Sequence, residues 1–354
     1  FLIDEDGFSV LPVTSLGLNY FSSSERISTG IPRLDTMLSG KGFFRGSTIL
    51  VSGTAGTGKT SIAAQFVEAA CKRGERILYF TFEESPSQLM RNMRSIGINL
   101  EPWTNKGLLR FHATRPTLYG LETHLTTSIK LINKFKPSVV ILDPINGFMI
   151  GENQTEVKNM LLRLVDFLKM QRITAFFTSL TTAGDNLENS DVYVSSLIDT
   201  WLLLRDIELG GERNRGLYVL KSRGMAHSNQ IREFKLTDNG IELVDVYVDE
   251  NGVLTGSARL SREMKDSAEI LLRQQELGNK KFRIERKRDA MEAQITVLRS
   301  EFEAVESESL KEMRMEKARN ERITQDNVNI VKSRGSDASS KLQVTKKKTG
   351  RIRK

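Results

Sequence analysis

The sequence predicts an α/β domain on a mostly parallel sheet, with an antiparallel extension at the sheet edge and a long coiled-coil helix after it. Three observations carry that expectation. Apolar, β-branched runs alternate with helix-forming segments between residues 47 and 180. A G-x-x-x-x-G-K-[ST] motif, Gly53-Thr54-Ala55-Gly56-Thr57-Gly58-Lys59-Thr60, joins the first run to the first helix. From Ile270 onward, apolar residues return at a spacing of seven. Strands that alternate with helices pair in parallel beneath them, whereas strands joined by short turns pair antiparallel.

Taken in order, the first element is a hairpin. Phe1-Leu-Ile-Asp-Glu-Asp-Gly7-Phe-Ser-Val-Leu11 matches Phe234-Lys-Leu-Thr-Asp-Asn-Gly240-Ile-Glu-Leu-Val244 at an offset of 233 residues. Each is a short strand, an acidic turn with glycine at the sharp position, and a second strand. That period is too long for a solenoid and suits a duplicated domain. Residues 1–13 are therefore expected to be the last hairpin of an upstream copy, with 14–25 a linker and 26–250 the domain itself. Within it, strands are expected at 47–53, 76–83, 108–113, 138–143 and 173–180, with helices at 59–73, 85–96, 121–134 and 155–170. Ser85-Pro86 supplies an N-cap with proline at the first helical position. From residue 200 the pattern becomes strand, turn, strand: 200–209, 215–222, 231–236 and 241–248.

The glycine-rich motif lies between a strand and a helix, which is the context it needs. Its backbone N–H groups surround a polyphosphate at the positive end of the helix. Lys59 neutralises the outer phosphates and the Thr60 hydroxyl ligates magnesium. Asp143 closes a strand of four apolar residues, the position that helps to hold the magnesium shell. Glu83 and Glu84 close the strand 76–83, where ligands of open α/β sheets bind. A carboxylate there takes a proton from an oxygen attacking the terminal phosphate. ATP and Mg2+ are the cofactors this constellation implies.

Charge and composition exclude several classes. One cysteine, Cys71, rules out an intramolecular disulfide and a cysteine-rich zinc site, so a cytoplasmic setting is expected. No apolar run approaches 18 residues, so no membrane span is expected. The net charge of +8 divides unevenly. Residues 1–250 carry 27 basic and 28 acidic residues, 251–331 carry 16 and 15, and 332–354 carry nine and one. The basicity belongs to a tail, 331–354, expected to be disordered. A core near neutrality argues against a ring lined by DNA, because phosphate binding needs clustered cations.

Together Ile31-Pro-Arg-Leu-Asp35, Gly53–Thr60, Phe82-Glu-Glu-Ser85, Ile141-Leu-Asp143 and Lys221-Ser-Arg-Gly224 resemble the second ATPase domain of the KaiC circadian clock family. The resemblance covers residues 1 to about 248. It implies a RecA-like P-loop fold, duplicated in tandem. It also implies a hexameric ring with ATP between subunits, autokinase and autophosphatase activity, and a KaiB-like clock partner. Residue by residue, the nucleotide site maps to Ala55, Gly56, Thr57, Gly58, Lys59, Thr60 and Ser61. Thr60 and Glu83 map to the metal, and Glu83 is the preferred base over Glu84. A basic set reaching the neighbouring subunit's nucleotide maps to Arg215, Lys221, Arg223 and His227, with Ser222 between them also in the nucleotide site. Alternation along a strand would point Lys221 and Arg223 to one face. The phosphoacceptor pair maps to Ser195 and Ser196, where the family has Ser-Thr, and Ser190-Asp191 stand where a neighbouring Thr-Asp would be. Both hydroxyls are retained.

The last element departs most from the cyanobacterial form. Ile270, Leu277, Ile284, Met291, Leu298 and Val305 recur every seven residues, with Ile295 and Phe302 adding the second seam position. Gln274, Lys281 and Arg288 interrupt that second position earlier. No proline occurs from 257 onward, so a coiled-coil helix is expected over 257–330, its heptads spanning roughly 60 residues. Self-association of that helix would join two hexamers into a dodecamer. Two other readings stand beside the autokinase: a RecA-like, nucleic-acid-dependent ATPase, and a non-kinase ATPase ring that signals through its coiled coil.

Overall fold

The computed structural model describes residues 2–4, 7–9, 22–149, 153–181, 196–209, 211–249 and 252–333. Ser195, Ser190-Asp191, most of the linker and the basic tail from 334 lie outside the described residues. Two compact units divide the chain, Phe1–Lys265 and Asp266–Lys354.

In chain order the strands are β1 (Leu2–Asp4), β2 (Gly7–Ser9), β3 (Arg26–Ile27), β4 (Phe43–Phe44), β5 (Thr48–Gly53), β6 (Ile77–Thr81), β7 (Leu109–Ala113), β8 (Val139–Asp143) and β9 (Thr174–Leu180). They continue as β10 (Thr200–Leu209), β11 (Glu212–Ser222), β12 (Arg232–Thr237), β13 (Gly240–Asp245), β14 (Tyr247–Asp249) and β15 (Gly252–Leu254). The helices are α1 (Pro32–Met37), α2 (Lys59–Lys72), α3 (Pro86–Arg94), α4 (Glu101–Asn105), α5 (Leu121–Phe135), α6 (Gln154–Met170) and α7 (Gly256–Ser333).

Nine strands form the main sheet in the order β13-β12-β11-β10-β5-β9-β8-β6-β7. The six from β10 to β7 are parallel, and β11, β12 and β13 extend the β10 edge antiparallel. Both faces are covered, and alternate residues of one strand serve opposite cores. Ile49 and Val51 of β5 pack on one face with Phe66 and Val67 of α2, while Leu50 packs on the other with Leu161 and Leu164 of α6. Strands buried on both faces read as continuous apolar runs, which is how β5, β6 and β8 appear in the sequence.

The repeat holds in three dimensions. β1 pairs with β2 through Asp4↔Gly7, Ile3↔Phe8 and Leu2↔Ser9. β12 pairs with β13 through Thr237↔Gly240, Leu236↔Ile241 and Lys235↔Glu242, the same register shifted by 233. Gly7 and Gly240 take φ of +97° and +99°, a left-handed turn that glycine adopts without a Cβ clash.

Several boundaries differ from the sequence expectation, and β6 stops at Thr81, so Glu83 and Glu84 follow the strand and do not close it. The strand expected at 241–248 breaks after Asp245, and Tyr247–Asp249 turns away to pair with β15. β11 begins at Glu212, three residues early, because β10 offers it partners down to Leu209. The last helix, expected over 257–330, runs unbroken over Gly256–Ser333, 78 residues or ~117 Å at 1.5 Å per residue, and so continues past its heptads. Helix formers such as Glu, Lys, Arg and Met sustain it beyond Val305.

Candidate nucleotide site

The motif Gly53–Thr60 turns from the carboxyl end of β5 into α2. Gly58 has φ +101°, and a Cβ there would stand 2.7 Å from the Phe234 ring, so only glycine fits. Thr57 is buried and donates its hydroxyl to the Thr54 carbonyl at 2.8 Å, tying the loop to itself. Lys59 donates from Nζ to the carbonyls of Gly53 (2.9 Å) and Thr54 (2.7 Å). Burial pushes its ammonium below the usual lysine range, against the attraction of Asp143, then Glu83 and Asp206.

A cavity of about 320 Å³ opens over this loop. The loop contributes Ala55, Gly56, Gly58, Lys59, Thr60 and Ser61, and the segment after β6 and the end of β8 contribute Glu83, Glu84 and Asp143. The candidate nucleotide-binding and catalytic residues, drawn from three separate stretches of sequence, therefore share one cleft. Asp143 is buried and accepts from Tyr79 Oη at 2.6 Å, from the Thr178 hydroxyl, and from Thr60 Oγ1 at 3.4 Å. Glu83 is exposed to the cleft, whereas Glu84 is half-buried. Burial, then Asp143 and Glu83, raise the Glu84 carboxyl above the usual range, opposed by Arg91 and a hydrogen bond with Asn92. Ser85 caps α3 as expected, accepting from Gln88 N at 3.3 Å.

The donor set suits magnesium. Thr60, Glu83 and Asp143 are all hard oxygen donors beside a phosphate loop. Among the described residues no group of three or more His, Cys, Asp or Glu stands ready to hold a metal unaided.

Four participants escape the sequence reading. Tyr79 and Thr178 fix Asp143, and Asp206 accepts from Thr54 Oγ1 at 3.3 Å. Asn146 grips Leu180 at the cleft wall, donating to its carbonyl at 3.2 Å and accepting from its N–H at 2.5 Å. Tyr79 alone left a signal, a phenol inside an apolar strand, where a buried hydroxyl must find a partner.

The basic set does not assemble as one group. Arg215 lies opposite Asp206 on β11, at the sheet end that carries the phosphate loop. Lys221 and Ser222 lie at the other end of β11, opposite Trp201 and Thr200, with Arg223 and His227 in the connection that follows. β11 stops at Ser222, so the alternation expected to align Lys221 with Arg223 fails: Arg223 belongs to a turn with Gly224 at φ +73°. A cleft of about 450 Å³ opens at this end, lined by Arg45, Lys169, Arg172 and Arg223 around Asp199. Asp199 pairs with Lys169 at 3.1 Å and Arg223 at 4.0 Å. Lys221 falls below the usual lysine range through burial and then Arg223. Ser196 is exposed in a turn just before β10, at this same end of the sheet.

Comparison with known proteins bears on the family. Residues 27–247 match the family described as "ATPase: KaiC". Over 334 residues the chain is 48% identical to the circadian clock protein KaiC2 of Synechocystis sp., covering 94% of this chain and 59% of that protein. It is 37% identical over 270 residues to the circadian clock oscillator protein KaiC of Acaryochloris marina, covering 75% and 51%. Against the protein of that name from Thermosynechococcus vestitus it is 37% identical over 263 residues, covering 73% and 50%. The chain thus spans half to three fifths of the length of these relatives.

Proposed function

The chain belongs to the KaiC ATPase family, and on that premise we propose that it is an ATP-hydrolysing serine autokinase and autophosphatase of a hexameric clock protein. ATP occupies the cleft above Gly53–Thr60, and Ser195 or Ser196 of the adjacent subunit receives its γ-phosphate.

The observation that carries this reading is a separation. Ser196, Lys221 and Arg223 stand at the amino end of the parallel strands, whereas Lys59, Glu83 and Asp143 stand at the carboxyl end. The six residues of β5 alone put ~20 Å between the two ends. A subunit cannot bring its own Ser196 to its own phosphates without unmaking the sheet. In a ring, the amino end of one subunit meets the cleft of the next.

Within the cleft, Glu83 takes the proton from the serine Oγ as that oxygen attacks the γ-phosphorus. The bond to the bridging oxygen breaks and ADP departs. Lys59 and the loop N–H groups hold the phosphate charge, and Lys221 and Arg223 of the neighbour stabilise the charge that develops in transit. Thr60, Glu83 and Asp143 are the residues that would hold magnesium, which when bound neutralises phosphate charge. Tyr79 and Thr178 hold Asp143 in its orientation by donating to its carboxylate. The seam of α7 serves assembly, joining two hexamers into a dodecamer. A KaiB-like partner and a cytoplasmic setting complete the proposal.

Mixed rings test it. Lys59→Ala subunits keep their serines but lose the phosphate-binding lysine, and Ser195→Ala/Ser196→Ala subunits keep the cleft but lack acceptors. After mixed assembly is verified, labelled ATP is expected to label the Lys59→Ala chains at Ser195 or Ser196. Unlabelled Lys59→Ala chains in verified mixed rings would reject transfer between subunits.

A further inference from the structure

The heptad residues Ile270, Leu277, Ile284, Met291, Leu298 and Val305 are between 55% and 67% exposed along α7, so this seam is uncovered in the single chain. A helix with such a seam is stable when another helix covers it. What the apolar positions leave open is the direction of the covering helix, and the charges beside the seam decide it.

Charge along α7 is segregated. Residues 280–288 hold six basic residues and one acidic, net +5. Residues 300–308 hold four acidic residues and no basic one, net −4. A parallel, in-register pair would lay each block on its own copy. It would also set Lys281 against Lys281 and Arg288 against Arg288 within the seam, two like-charge contacts in the least hydrated part of the interface. An antiparallel pair reverses the match.

One register follows from the heptad. With the apolar residues above at d, the flanking g positions are Lys280, Lys287, Gln294, Glu301 and Glu308. In antiparallel pairs g faces g of the partner, and these positions set orientation. Centring the pair on Gln294 places Lys287 opposite Glu301 and Lys280 opposite Glu308. Each contact occurs twice by two-fold symmetry. The block 280–288 then lies along 300–308, plus on minus. Gln294, the uncharged member of the series, meets itself at the axis. That axis falls within one residue of the midpoint of Gly256–Ser333, so the overlap is nearly complete.

We propose that α7 binds a second copy of itself antiparallel, in the register centred on Gln294. This rests on the reading of α7 as a self-associating coiled coil and adds its direction. Subunits of one ring are related by rotation about a common axis, which preserves helix direction along that axis. The antiparallel partner therefore comes from a second ring.

Distances between nitroxide labels in the full chain test the direction. Asn279→Cys, Ala293→Cys and Ser307→Cys place labels on the outer f positions, off the seam. The native Cys71 is buried, and its thiol is pushed up to about 12, so labelling is confined to the introduced cysteine. The antiparallel register offsets equivalent labels along the axis by ~45 Å at 279, ~3 Å at 293 and ~39 Å at 307. The expected result is a short distance at 293 alone. A common short distance at all three positions means parallel pairing, which overturns the proposal and leaves the coiled coil standing. No short distance at any position overturns the register centred on Gln294. Charge reversal gives a second arm. Lys280→Glu/Lys287→Glu is expected to weaken self-association roughly tenfold or more. Adding Glu301→Lys/Glu308→Lys to that variant is expected to restore it, and failure to restore would reject the register.

Discussion

Glu83 and Glu84 are neighbours in sequence but stand in different surroundings. Glu83 faces the cleft, while Glu84 is drawn into the protein, where burial raises its carboxyl and Asn92 engages it. A base that must meet an incoming hydroxyl needs access first and a suitable pKa second, which favours Glu83. Glu83→Gln keeps the shape of the side chain and removes its ability to accept a proton. Nucleotide affinity is expected to persist while phosphoryl transfer slows by about 10²–10⁴-fold. Single-turnover phosphorylation of the purified variant, with nucleotide binding measured separately, checks this. Near-normal transfer would move the base role to Glu84.

At the scale of elements, the start of α7 is held by carboxylates of the antiparallel extension. Glu212 accepts from Ser257 N at 3.1 Å and Glu233 from Gly256 N at 3.3 Å, so two orphan N–H groups of the first turn gain anionic partners. Glu233 is 1% exposed and lies 3.4 Å from Arg259, which is itself buried; the contact is ionic and not aligned as a hydrogen bond. Lys235 also reaches Glu233 at 3.4 Å, and Arg259 makes a second pair with Glu263 at 2.7 Å. Removing one member of a buried pair strands the other. Glu233→Ala is therefore expected to cost about 3–5 kcal/mol, and Glu233→Ala/Arg259→Met to recover most of it. Urea unfolding of the two variants is the measurement. Equal destabilisation by both would mean that Glu233 acts through the helix terminus alone.

For the whole molecule, the proposed assembly gives the chemistry to the near-neutral domain and the contact between rings to α7 with its segregated charge. The apolar seam is strongest from Met291 to Val305, where both seam positions are filled. Leu298→Glu with Val305→Glu places charge in that stretch. The variant is expected to fall from two rings to one in analytical ultracentrifugation while still binding ATP, because the cleft lies among β5, β6 and β8. Equal mass for wild type and variant, at the size of one ring, would show that α7 does not bridge rings.

Local rules made much of this protein legible in its sequence. The phosphate loop depends on glycines with a positive φ between a strand and a helix, and both the pattern and its context are contiguous. Strands buried on both faces show as apolar runs, and α7 shows as an unbroken stretch of helix formers with a period of seven. Even the 233-residue repeat reappears as identical hairpin registers. What the sequence withheld depends on which strands become neighbours. Tyr79 and Thr178 meet at Asp143 only because β8 lies between β6 and β9, an order with no contiguous signature. For the same reason, Arg215 and Arg223, eight positions apart on one connected segment, end at opposite ends of the sheet. Spacing within a segment sets which side chains share a face, whereas strand order and direction, fixed by the packing of the whole domain, set which of them share a site.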